Sequence, residues 1–161
     1  MQERYIRWWT PHLSRDFEML AFGPGGGLPL VIFPTSFGRY YQIKDFGLID
    51  AVASFVDSGR VTIYCPDAID LDSFYNKSIH PADRMRTHLA YENVIVRDVF
   101  DIGRRECSTH RVAVCGASLG ALCLSGILNA KGIRHWLDDR KWCGHEWKYW
   151  RDMLPYYLSK I

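Results

Sequence analysis

The stretch Val112-Ala113-Val114-Cys115-Gly116-Ala117-Ser118-Leu119-Gly120-Ala121 joins an apolar, β-rich run to an apolar helical run through a serine set between two glycines. Residues 110–115 (HRVAVC) have the composition of a strand buried on both faces. Residues 119–131 read as the helix that follows. The spacing G-x-S-x-G at such a junction has a physical reason. The turn is so sharp that the serine takes a strained backbone conformation, and only small flanking residues escape a clash. The strain lifts Ser118 Oγ clear of the sheet, and the start of the helix sets the Leu119 N–H beside it as one half of an oxyanion hole. The competing reading of the same residues is a tight turn with a capping serine.

Upstream, residues 4–9 and 17–22 read as two strands, expected to form an antiparallel edge. The glycine stretch Gly23-Pro24-Gly25-Gly26-Gly27 runs straight into the apolar run 28–33 (LPLVIF), a strand and not a helix. A phosphate cradle needs amides at a helix N-terminus, so the stretch reads as a hairpin turn. A helix over residues 43–56 follows, with Phe46, Ile49, Val52 or Ala53, and Val56 on one face and Ser58-Gly59 at its end. Residues 60–65 (RVTIYC) form the next strand, and a long loop of aspartates and aromatics runs to about residue 80. Pro81 opens a helix reaching to about residue 103. From strand 28–33 onward the order β-α-β-α-β predicts a mostly parallel sheet with helices on both faces.

The chain has 161 residues, enough for one domain with a real core. Its aromatic share of 14% belongs to a folded globule, and a net charge of +2 from scattered basic residues implies no nucleic-acid partner. Five cysteines, an odd number without paired spacing, fit free thiols in a reducing, cytoplasmic setting. The N-terminal MQERY lacks the apolar core of a signal peptide, and no apolar run reaches membrane-spanning length.

The base that takes a serine proton near neutral pH is a histidine. His12, His80 and His88 precede the elbow in loops or helices, and His110 lies at the wrong end of the nucleophile strand. His135 falls within a short predicted strand, residues 133–137, and packs against a sheet face. His145, in WCGHEW (142–147), lies past that strand and before the last helix, the place the order Ser…acid…His requires. Cys143-x-His145 offers two ligands without a second pair, so no metal is expected, nor any other cofactor. The second oxyanion donor is expected from FPTSFGR (33–39), as the N–H of Ser36 or Phe37. Phe37, Tyr40, Tyr41, Phe74 and Tyr75 are candidates to line an acyl pocket, or to pack as ordinary loop aromatics.

Four segments together, LVIFPTSFGRYY, VAVCGASLGA, DLDSFYNKSIHP and GIRHWLDDRKWCGHEWKYWRDMLPYYL, resemble the esterase-D-like esterases of the α/β-hydrolase superfamily. The resemblance implies a reduced α/β-hydrolase fold over residues 1–161 and serine-dependent hydrolysis of a small acyl or carbohydrate-linked ester. It places the nucleophile on Ser118 and the base on His145. There is one large departure. In that family further strands and helices separate the elbow helix from the HWLD segment, and they hold the catalytic Asp. Here His145 follows Ser118 by only 27 positions.

Two options follow. Asp138 or Asp139, at the end of the predicted strand 133–137, orients His145, with Glu146 a weaker candidate; or Ser118 and His145 act as a dyad with a poorer base. An acyltransferase would use the same machinery. A second class of reading is a catalytically weak or inactive remnant serving as a binding or assembly module. The shortening also predicts a homodimer that covers an apolar sheet edge or exchanges the C-terminal segment.

Overall fold

The structure is a computed structural model that describes residues 1–138, 140 and 142–161, with only the backbone described at 122 and 123. Among the described residues five strands form one sheet in the order β1-β2-β4-β3-β5. They are β1 (Glu3–Thr10), β2 (Arg15–Phe22), β3 (Leu28–Phe33), β4 (Val61–Pro66) and β5 (Ala113–Gly116). β1 pairs antiparallel with β2, and β2 antiparallel with β4, whereas β4 and β5 run parallel to β3. The antiparallel N-terminal edge and the parallel centre are therefore present as predicted. The glycine stretch is not a hairpin, because β4 lies between β2 and β3. The two strands it joins turn their backbones to β4, and the glycines span the gap. Gly27 (φ +66) could carry no side chain, since a Cβ there would lie 2.3 Å from the Gly59 carbonyl oxygen.

Continuous apolar runs in β3 and β4 serve both faces because successive side chains alternate. Leu30 and Ile32, with Ile63 and Cys65, face a cluster completed by Ile43, Leu48, Ile49, Val52, Val56, Leu154 and Leu158. Val31 and Tyr64 face the opposite cluster with Phe17, Met19, Val94, Ile95 and Val99. Each fully buried side chain of this size contributes about 1.5–3 kcal/mol, so the core straddles the sheet.

The predicted helix 43–56 is three short ones, α1 (Gln42–Asp45), α2 (Leu48–Ala51) and α3 (Ala53–Asp57). The left-handed Gly47 (φ 72) and the non-helical Val52 interrupt the ladder, while the buried stripe of Ile49, Val52 and Val56 survives. The predicted 81–103 helix runs as α4 (Pro81–Asn93), a π-helical segment (Val94–Val99) and α5 (Phe100–Glu106). The wider π turn buries Val94, Ile95 and Val99, while Asp98 accepts hydrogen bonds from Trp8 Nε1 (3.1 Å) and Thr10 Oγ1 (2.7 Å) on β1. Beyond β5 come α6 (Leu119–Ala130) and α7 (Trp147–Leu158).

Residues 133–137, predicted as a strand, form none. The chain leaves α6 through a Schellman turn, with Ile133 N–H on Leu128 O (2.9 Å) and Gly132 N–H on Asn129 O (3.0 Å). Helix contacts then replace a sheet ladder: His135 Nε2 meets Ser125 Oγ at 3.0 Å, and the Trp136 ring lies 4.8 Å from that of Tyr157. His135 is consequently exposed rather than packed on a sheet face. β5 ends the sheet, hydrogen-bonded to β3 on one side. Among the described residues no helix is long and apolar enough to cross a membrane.

Glu106 ties the N-terminal half together. Its carboxylate receives both terminal nitrogens of Arg4 (2.8 and 2.7 Å) and the Tyr64 hydroxyl (2.7 Å), and its carbonyl accepts from Gly26 N–H (3.3 Å). The Arg4 guanidinium, helped by the Tyr64 hydroxyl, holds the Glu106 carboxyl below the usual range. A folded-state pKa below the unfolded one adds stability that is present above the unfolded value and lost as pH falls through the folded one. Glu106→Gln is expected to lower stability at pH 7 by about 1 kcal/mol, allowing for solvent screening of a partly exposed pair. Urea unfolding at pH 7 and pH 3 checks this, with the difference from wild type shrinking at pH 3.

Candidate active site

The register fixes where the site forms. β3 and β5 are neighbours, and their last residues, Phe33 and Gly116, pair with each other. Both strands thus end at the same level, and their loops emerge side by side. The connections from the two strands lead to different parts of the fold, the situation in which parallel sheets open a crevice at their carboxyl ends.

Ala117 and Ser118 alone carry the chain from β5 into α6. Ser118 takes φ 57 and ψ −128, the mirror image of an ordinary extended conformation. Only glycine adopts it freely, and for a serine it costs about 1–3 kcal/mol. The surroundings hold it there. Gly120 N–H donates to Ala117 O at 3.1 Å. A Cβ at Gly116 would lie 2.7 Å from the Gly120 carbonyl carbon, and one at Gly120 would lie 2.8 Å from Pro34 O. The second approach shows that the loop after β3 sits directly against the elbow. As first residue of α6, Leu119 has an N–H with no intrahelical acceptor.

The loop after β3 is a turn closed by Gly38 N–H on Thr35 O (3.0 Å). Of its two central residues only Phe37 has positive φ (59), the pattern of a type II turn. Its amides are taken up one by one. Gln42 Oε1 accepts from Thr35 N–H (3.1 Å) and Thr35 Oγ1 (3.0 Å), and Asp70 Oδ2 accepts from Phe37 N–H (2.6 Å). Ser36 N–H remains without a partner among the described residues. Of the two expected oxyanion donors, Phe37 is therefore engaged and Ser36 is open. Asp70 and Gln42 had no distinguishing signal in the sequence, Asp70 being one of three aspartates in DAIDLD.

The expected aromatics do not form one wall. Phe37 stacks on Tyr75 (4.4 Å), whose hydroxyl lies 3.2 Å from Ser36 Oγ. Tyr40 packs between Tyr5 and Tyr41, and Phe74 turns to His88 on α4. An open groove of about 300 Å³, lined by residues including Glu18, Arg39, Asp67 and Asp72, runs beside this loop; Ser118 does not line it, and charged pairs fill its walls.

His145 is exposed, with its ring edge-on to Trp150 at 5.1 Å. No hydrogen bond among the described residues joins it to Ser118 or to Asp138. Asp138 Oδ2 accepts from Tyr157 Oη (2.6 Å) and Arg140 Nε (2.9 Å). These two, the tyrosine hydroxyl foremost, hold the carboxyl below its usual range. Glu146 pairs with Lys148 at 3.0 Å, and Asp139 lies outside the described residues. Burial pushes the Cys115 thiol, three residues before Ser118, up to about 11, so it stays neutral near pH 7. Among the described residues no group of three or more His, Cys, Asp or Glu side chains gathers to hold a metal.

The sheet order, the parallel centre and the elbow define a reduced α/β-hydrolase fold. No protein-family profile matches the sequence, and comparison with characterised proteins gave no match. Solved structures do match. The S-formylglutathione hydrolase of Staphylococcus aureus superposes with a TM-score of 0.58 at 12% identity, covering 94% of this chain and 71% of its own. A fluorophosphonate-binding serine hydrolase of the same organism gives 0.57 at 8% identity, covering 97% and 74%. A ferulic acid esterase of the anaerobic fungus Anaeromyces mucronatus gives 0.55 at 13% identity, covering 74% and 50%. At these identities the likeness is one of fold.

The strain at Ser118 makes a test that needs no substrate. Ser118→Gly removes about 1–3 kcal/mol of strain and adds about 0.5–1 kcal/mol of unfolded-state freedom. Ser118→Ala keeps the strain. The glycine variant is expected to be the more stable of the two by roughly 1 kcal/mol, read as a higher melting temperature.

Proposed function

We propose that this protein hydrolyses carboxylic esters through an acyl-enzyme on Ser118. The observation that carries the reading is the strained backbone of Ser118 at φ 57, on a two-residue turn packed against the loop after β3. A fold has little reason to keep a serine there for packing alone, since glycine would fill the position with less strain.

In this reading Ser118 Oγ attacks the ester carbonyl carbon as its proton passes to the His145 imidazole. The carbonyl π electrons move onto oxygen, and the N–H groups of Leu119 and Ser36 donate to that oxyanion. Collapse of the tetrahedral intermediate breaks the bond to the alcohol, which leaves with the proton from His145. Water then repeats the sequence on the acyl-serine, giving the free acid and regenerating Ser118. His145 has to swing from its exposed position beside Trp150, and apo geometry of this looseness is common among catalytic pairs. Asp138, held ionised, is the candidate among the described residues to orient it, and Asp139 is its neighbour in sequence. In this reading Phe37 and Tyr75, stacked beside Ser36, meet the acyl group.

A fluorophosphonate probe, followed by mass mapping of the labelled peptide, tests this directly. The label is expected on Ser118, absent in Ser118→Ala. Hydrolysis of an activated short-chain ester is expected to fall by roughly a thousandfold in His145→Ala. A tenfold or larger fall in Asp138→Asn assigns the orienting carboxylate there, and a smaller one leaves Asp139 or a dyad. Equal turnover by wild type and Ser118→Ala would dispose of the enzyme and leave a binding module.

A further inference from the structure

We infer that Asp70 is the positioning residue of the oxyanion site: its carboxylate fixes the turn whose Ser36 N–H receives the developing charge. The inference rests on the reading of Ser118 and Ser36 just given, and deepens it. Asp70 comes from the loop after β4, on neither strand that frames the elbow. It is 8% exposed, and its Oδ2 receives the Phe37 N–H at 2.6 Å. A buried carboxylate aimed at a main-chain amide makes a charge-assisted bond, about twice as strong as a neutral one.

The bond has a definite task. Phe37 sits at φ 59, where a residue with a side chain is disfavoured by about 1–2 kcal/mol. A type I turn would remove that strain by flipping the peptide between Ser36 and Phe37. The flip would turn the Phe37 N–H away from Asp70 and set the Ser36 carbonyl toward it, which the carboxylate forbids. The same short turn carries two further holds. Tyr75 N–H donates to Asp70 O (2.8 Å), its ring stacks on Phe37, and its hydroxyl meets Ser36 Oγ (3.2 Å). Residues 70–75 therefore grip the turn from outside. Gln42 grips Thr35 from the other end, and Ser36 N–H is the amide left over. A donor in an oxyanion site works only if it is held where the charge develops; the Ser36 N–H lies on the Thr35–Ser36 peptide, next to the one Asp70 pins, so Asp70 acts on it through the turn and without touching substrate.

The experiment compares wild type, Asp70→Ala, Asp70→Asn and Phe37→Gly/Asp70→Ala on an activated short-chain ester, with melting curves to confirm folding. Asp70→Ala is expected to lower kcat ten- to hundredfold with KM changed less than threefold, the signature of an interaction made in the transition state. Asp70→Asn, which keeps an acceptor for the Phe37 N–H, recovers most of the rate. Glycine at 37 takes the left-handed turn without help, so the double variant regains kcat relative to Asp70→Ala, while loss of the Phe37 ring and its stack on Tyr75 raises KM. A purely structural role would lower stability alike in both alanine variants and would show no recovery of kcat. Folded Asp70→Ala with unchanged kcat overturns the inference while leaving the Ser118 reading intact. Absence of Ser118-dependent turnover in wild type removes both.

Discussion

The backbone of Ser118 is the constraint on which the rest of this molecule's layout depends. A serine at φ 57 is held only if the strand before it and the helix after it are both anchored. The anchors are visible. β5 is locked in parallel register on β3, and α6 leaves so steeply that Gly116 approaches the Gly120 carbonyl carbon and Gly120 approaches Pro34 O. A methyl group at either glycine would push the helix off the sheet or the β3 loop off the elbow. The two glycines are thus there for close approach. Neither has a positive φ, so conformational freedom is not the reason.

That packing explains why the site draws on segments far apart in sequence. The register pair Phe33 and Gly116 brings the two loops to one level, and the buried central strand β4 then delivers the acidic turn that holds the first loop from outside. Four links meet at the 35–38 turn: Gln42 on Thr35, Asp70 on Phe37, Tyr75 on Phe37 and Tyr75 on Ser36. The segment carrying His145 is built differently. Trp142 is 95% exposed, and Trp136 and Leu137 are exposed as well. Its inward contacts are made by α7, through Leu154 and Leu158.

Sequence periodicity was sufficient for the frame because the frame is made of period-two and period-3.6 burial. The runs LPLVIF and VTIYCP are apolar on consecutive residues because both faces are covered, and they sit in the centre of the sheet. The elbow was legible for a different reason: its steric demand falls on residues two apart, within one turn. The remaining features depend on partners that periodicity does not encode. The glycine stretch 23–27 has a hairpin's composition, but the neighbour of β2 is β4, and pairing across a sheet is invisible to local pattern. Residues 133–137 alternate as a strand does, yet Ser125 and the α7 tyrosines take their side chains. The π segment 94–99 fits a helical stripe as well as an α-helix would, and is distinguished by Asp98 reaching β1.

The candidate site divides along the same line. The strand-turn-helix junction at Ser118 and Leu119 is legible from spacing alone, because its geometry is set by the residues around it in the chain. That the Phe37 N–H is engaged and the Ser36 N–H is not depends on what lies across the loop, a buried aspartate with no motif of its own. Placing an acid for His145 is harder still, because Asp138 meets a tyrosine and an arginine that arrive from α7 and from the next turn. Those two donors lower the carboxyl's pKa and keep it charged, as the proposed role of steadying an imidazolium requires. They also occupy one of its oxygens. An acid in this position would then act through its second oxygen, a geometry compatible with orienting a histidine brought in by a loop. The half of the candidate site proposed to hold an oxyanion is accordingly built around the ends of two sheet strands and tied by side-chain contacts. The half proposed to transfer the proton is carried by a segment outside the sheet, anchored by one helix.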